Sequence, residues 1–150
     1  MNIAIFFGTE TGNAEMLADD LSTALEEAHE TTVANLSDTA PEALRQADLN
    51  IILCSSYGDG ELPASAQPFA ERLAANPPAL DGVRIAVFGL GDREYHDTFG
   101  NGSMQLADSL AGRGATLVGD RVVHDAASGE LPEDIALPWA EAIIAGLEQT

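Results

Sequence analysis

A chain of 150 residues, 45% hydrophobic and 21% charged, has the composition of a globular protein and the length to bury a core as one domain. Its formal net charge of -19, with a pI near 4.1 and arginine as its only basic residue besides histidine, argues against nucleic-acid and anionic-lipid partners; the charge steers a basic protein partner, or serves solubility or a salt-rich setting. No apolar run reaches the ~18–20 residues of a membrane span, Met1 to Gly8 lacks the basic start of a signal peptide, and a lone Cys54 excludes an intrachain disulfide and a thiolate zinc cluster, so a cytoplasmic chain is expected.

The first predicted element is a strand over Asn2–Gly8, and Gly8-Thr9-Glu10-Thr11-Gly12-Asn13-Ala14-Glu15 leads out of it. A helix over Glu15–Ala28 follows, with Met16, Leu17, Ala18, Leu21, Ala24, Leu25 and Ala28 on one broad face. Thr31–Leu36 is the second strand, and Pro41 opens a turn of helix at its first position. Leu49–Ser56 is the third strand. Its run Asn50–Cys54 is nearly all apolar, which fits a strand covered on both faces. Cys54 inside it reads as a buried, inert thiol, with a redox role as the alternative. Ser55-Ser56-Tyr57-Gly58-Asp59-Gly60-Glu61-Leu62-Pro63 then leads to a helix over Ala64–Ala75, where Phe69 and Leu73 stand four apart. The fourth strand, Val83–Gly89, runs through a glycine- and aromatic-rich stretch ending at Gly100 into a helix over Ser103–Arg113. Ala115–Val123 is the fifth strand. Asp134–Leu147 closes the chain as a helix with Trp139, Ile143 and Leu147 at intervals of four.

Strands alternating with helices imply a parallel sheet with right-handed crossovers and helices on both faces, in a single domain over residues 1–150. In such sheets ligands bind beyond the carboxyl ends of the strands, where the winding changes direction. The loops after the first, third and fourth strands hold the chemistry-bearing residues. The first offers helix-start N–H groups, the hydroxyls of Thr9 and Thr11 and the amide of Asn13, while Gly12 permits close backbone approach. It has no lysine after its second glycine and no G-x-G-x-x-G, so it is neither a nucleotide P-loop nor a dinucleotide fingerprint. It suits a ligand held by a monophosphate; the plainer reading is a capped helix start. The chain has two tyrosines, Tyr57 and Tyr95, one in each of the other two loops and neither on an apolar helix face. A flat ring can stack between them.

The run T-x-T-G-N-A after a first strand resembles the phosphate loop of flavodoxins and of the FMN modules of diflavin reductases, and S-x-Y-G-D-G-E and G-L-G-D-R-E-Y resemble their two ring-covering loops. The resemblance implies a flavodoxin-like three-layer sandwich, with a five-stranded parallel sheet in the order 2-1-3-4-5, and FMN as cofactor. It implies phosphate-loop roles for Thr9, Glu10, Thr11, Gly12, Asn13 and Ala14, and stacking roles for Tyr57 and Tyr95. Backbone groups of Ser55, Ser56, Gly58, Leu90, Gly91 and Asp92 then meet the ring edge, with His96 and Phe99 beside it and Asp125 near the flavin or its ribityl chain. Gly58 lets a local peptide turn its carbonyl toward the reduced ring, or simply shapes a turn. Acids in the two loops, among them Asp59, Glu61 and Glu94, disfavour the anionic reduced flavin, or form a solvated rim. With no inserted segment in the fifth strand, the chain resembles short-chain flavodoxins. G-D-R-E-Y together with L-P-E-D…W is similar to the MioC-like small flavodoxins, although Tyr57 stands where that subgroup often has histidine.

The activity implied is one-electron transfer from an NAD(P)H-dependent flavoprotein reductase of the ferredoxin/flavodoxin-NADP type to acceptor enzymes, by a monomeric carrier and not an enzyme. The alternative is an FMN-dependent reductase acting on quinones or small acceptors. A phospho-receiver domain shares the architecture but needs acids after the first strand and a lysine after the last, whereas this chain has Phe7-Gly8-Thr9 and no lysine. His29, His96 and His124 show no metal-ligand spacing, and Ser55 and Ser56 lack the G-x-S-x-G setting of a nucleophile, so neither a metal site nor hydrolysis is expected.

Overall fold

The structure, a computed structural model, describes residues 1–8, 13–55, 66–75, 80–91, 101–119, 122–125 and 131–148. In chain order the elements are β1 (Asn2–Gly8), α1 (Asn13–Leu25), β2 (Glu30–Asn35), β3 (Leu49–Ser55), α2 (Gln67–Ala75), β4 (Arg84–Gly91), α3 (Asn101–Ala111), β5 (Thr116–Leu117), β6 (Val122–Asp125) and α4 (Pro132–Glu148). All strand pairs are parallel, in the order β2-β1-β3-β4-β5, with β6 also paired to β4. This is the expected 2-1-3-4-5 winding. The turn of helix after the second strand is a 3-10 helix, Pro41–Gln46, with proline at its start as predicted.

One expectation changes in detail. The single fifth strand is two short ones, β5 against the start of β4 and β6 against its end. Gly119 lies between them at φ +71, and a Cβ there would stand 2.9 Å from Ile143 Cγ1. A left-handed glycine lets the edge strand break and pass over α4 before rejoining the sheet. The first helix also stops short of its predicted end. Glu26 and Glu27 place negative charge at the negative pole of α1, whose last turn has no basic residue.

Strand alternation divides the core in two. Ile3, Ile5, Phe7, Ile51, Leu53, Phe88 and Leu90 pack with α1 and α4; Phe6, Ile52, Cys54, Ile85 and Val87 pack with α2 and α3. Each fully buried Leu, Ile or Phe contributes roughly 1.5–3 kcal/mol. Phe88 meets Trp139 with ring centroids 5.4 Å apart and tilted by 56°, locking α4 onto β4. Asn50 is fully buried on the second face, where its Nδ2 donates to the Leu44 carbonyl (2.9 Å) and the Arg84 carbonyl (3.1 Å). It thereby ties the Pro41–Gln46 helix to the amino end of β4. Among the described residues no helix is long and apolar enough to cross a membrane.

Candidate functional site at the carboxyl edge

The register brings four strand ends level. Gly8 of β1 pairs with Cys54 of β3, Ser55 of β3 with Leu90 of β4, and Gly91 of β4 with Asp125 of β6. At the ~4.8 Å spacing of neighbouring strands this row spans roughly 14 Å from β1 to β6. Chain order alternates around it. β2 lies outside β1, so the connections from β1 and β3 leave on opposite faces, and a crevice opens between their ends.

Six of the predicted site residues stand on this row or at its rim. Ser55, Gly91 and Asp125 are the last residues of their strands, and Leu90, buried, precedes Gly91. Asn13 and Ala14 open α1. Ala14 is fully buried in the core that holds Leu17, Ala18 and Leu21, which pins the start of the helix against the sheet. The first N–H groups of a helix have no acceptor within it and form the positive end of its dipole. Thr9, Glu10, Thr11, Gly12, Ser56, Tyr57, Gly58, Asp92, Tyr95, His96 and Phe99 lie outside the described residues.

Two polar side chains near the row are buried. Cys54 is buried, and desolvation pushes its thiol from 9.0 up to about 12, so the inert reading holds and a thiolate role does not. His124 sits in β6, buried and in register with Leu90. Among the described residues no group of three or more His, Cys, Asp or Glu side chains could hold a metal ion. A cavity of about 560 Å³ does open in the protein, but at the amino edge, lined by Met1, Glu26, His29, Glu30 and Asp48. It lies at the opposite end of the strands from the row of carboxyl ends.

Sequence reasoning missed Gly8 and Ala66. A Cβ on Gly8 would stand 2.8 Å from the Ala66 Cβ, so the root of α2 presses against the end of β1. The flavodoxin family profile matches residues 5–139, which takes in all four strand ends and α1. The chain belongs to the flavodoxin family. Among relatives of this flavodoxin-family chain, protein MioC of Escherichia coli is 33% identical over 138 residues, 92% of each chain. NADPH-dependent diflavin oxidoreductase 1 of Emericella nidulans is 34% identical over 141 residues, 90% of this chain and 21% of that protein. A solved flavodoxin of Pseudomonas aeruginosa carrying a cysteine-to-alanine substitution is 31% identical with a TM-score of 0.84, over 97% of this chain and 98% of that one.

Proposed function

We propose that residues 1–150 form one FMN-binding domain that acts as a one-electron carrier in the cytoplasm, reduced by an NAD(P)H-dependent flavoprotein reductase and oxidised by acceptor enzymes. The observation that supports it is the level row of strand ends at Gly8, Ser55, Gly91 and Asp125, with the amino end of α1 opening beside it. In this reading the start of α1 takes the phosphate at one end of the row, and the tyrosine-bearing segments that follow Ser55 and Gly91 in sequence take the ring. FMN, when bound, accepts and releases electrons one at a time.

The chain's own groups have distinct tasks in this reading. The first-turn amides of α1, the hydroxyls of Thr9 and Thr11 and the Asn13 amide hold the phosphate. Tyr57 and Tyr95 cover the two ring faces and exclude water. Backbone groups of Ser55, Gly58, Leu90, Gly91 and Asp92 orient the ring edge. No thiol takes part, because burial keeps Cys54 protonated.

The partner is a basic protein. Helices α1 and α4, which share one face, carry Glu15, Asp19, Asp20, Glu133, Asp134, Glu141 and Glu148 and not one basic residue. Met16 is 67% exposed in the midst of Glu15, Asp19 and Asp20. An apolar side chain ringed by carboxylates suits the centre and rim of a transient interface with a positively charged partner.

The test is direct. The purified apo chain is titrated with FMN, and stoichiometric uptake with quenched flavin fluorescence is expected. The loaded chain is then mixed with NADPH, with and without a flavodoxin reductase, and should be reduced only when the reductase is present. No FMN uptake would refute the reading, and rapid NADPH oxidation without the reductase would replace the carrier with an FMN-dependent reductase.

A further inference from the structure

We infer that the contact between Gly8 and Ala66 is a joint that sets the spacing between the first and second cofactor loops, making Gly8 a positioning residue for FMN that touches no part of it. The inference rests on the FMN reading above.

Gly8 is the last residue of β1, from which segment 9–12 departs, and Ala66 is the residue at which segment 56–65 ends. The two segments are far apart in sequence, yet their roots meet. A Cβ on Gly8 would lie 2.8 Å from the Ala66 Cβ, 3.6 Å from its Cα and 3.2 Å from Leu36 Cδ1. Carbon atoms in contact sit about 3.5–4.0 Å apart, so the backbone of β1 approaches Ala66 more closely than any side chain allows.

Both partners are held in place by packing and hydrogen bonds, so any shift moves the elements that carry them. Gly8 is held in the sheet by its register with Cys54, and Phe7 before it pairs with Asn35 on one side and Leu53 on the other. Ala66 is fully buried, and its carbonyl accepts the Ala70 N–H at 3.1 Å, the first turn of α2. That helix is anchored by fully buried Phe69 and by Arg72, which donates to the Ser37 and Thr39 carbonyls at 2.7 and 3.1 Å. Leu36 is fully buried too. Adding a methyl group at Gly8 therefore displaces the roots of the two loops relative to each other by about 1 Å, the gap between 2.8 Å and ordinary contact. A ligand that grips both loops feels this change. A ligand without the phosphate lacks the grip of segment 9–12 and feels it only through segment 56–65.

The experiment measures FMN and riboflavin affinity, by fluorescence quenching, for the wild type, Gly8→Ala, Ala66→Gly and the Gly8→Ala/Ala66→Gly double variant, together with thermal unfolding of each apo chain. Gly8→Ala is expected to weaken FMN about tenfold or more while riboflavin, which lacks the phosphate, changes less than about twofold. Ala66→Gly removes the methyl that the new Cβ would strike, so the double variant is expected to regain FMN affinity to within about threefold of the Ala66→Gly chain. If Gly8→Ala does not fold, the double variant carries the test alone: recovery of folding and of FMN binding supports the joint. Equal loss of FMN and riboflavin, wild-type FMN affinity in a folded Gly8→Ala chain, or a double variant that fails to recover would each overturn it. A wild type that takes up no FMN overturns the functional reading instead, while the interaction between positions 8 and 66 is still read from apo unfolding.

Discussion

Replacing Cys54 with alanine removes a thiol that sits on β3 one residue short of the carboxyl edge. In the folded chain burial lifts that thiol from 9.0 to about 12. The folded value is the raised one, so the thiol's contribution to stability is complete below pH 9 and is lost as pH climbs toward 12. Across that window the unfolded chain ionises and the folded chain does not, at about 1.4 kcal/mol for each pH unit. Urea unfolding of the apo wild type and Cys54→Ala at pH 7 and pH 10 isolates this effect, because the packing cost of alanine and all other titrations are common to the difference. The wild type should lose about 1.4 kcal/mol relative to the variant between the two pH values. Reactivity gives a second reading of the same physics. At pH 8 a thiol titrating near 12 is roughly one part in ten thousand thiolate, against about a tenth for one titrating at 9.0, so thiol reagents should label the native chain about a thousandfold more slowly than the unfolded chain. Equal pH dependence of the two proteins, or labelling of the native chain at the free-thiol rate, would refute the reasoning.

Three further outcomes follow from particular contacts. Asn50→Ala leaves the buried Leu44 carbonyl and the part-buried Arg84 carbonyl without this donor and should lower the apo chain's urea-unfolding free energy by about 1–3 kcal/mol. Gly119→Ala forces a side chain into the left-handed region and onto Ile143; a loss of about 1–3 kcal/mol is expected, and hydrogen exchange should rise first in β5 and β6. Asp19→Arg/Asp20→Arg on the all-acidic face should slow reduction by a flavoprotein reductase at low salt and leave FMN affinity unchanged. Stopped-flow rates for variant and wild type should converge near 1 M salt, where charges are screened beyond about 3 Å.

The candidate site divides into what could be read from short stretches of chain and what could not. The loop after β1 announces itself by composition, hydroxyls and glycine between an apolar strand and an amphipathic helix, because a helix start and a phosphate need the same local N–H groups. The tyrosines stand out for the opposite reason, as aromatic residues that no apolar periodicity explains. Gly8 carries no such mark. Its significance lies in Ala66, which reaches it only when β3 returns beside β1 and α2 folds back over the sheet. His124 is similar: its place in a V-V-H-D run says strand, but its burial beside Leu90 depends on β6 joining β4.

Periodicity and turn chemistry alone determined the number and order of most elements and the burial of Cys54, and marked the candidate loops, since these follow from interactions within a few residues. The break of the edge strand at Gly119, the level row of Gly8, Ser55, Gly91 and Asp125, and the pressing of α2 against β1 were decided by tertiary structure. Each depends on which strands become neighbours and in what register, and that is set by pairing and packing between segments tens of residues apart, where local sequence has no say.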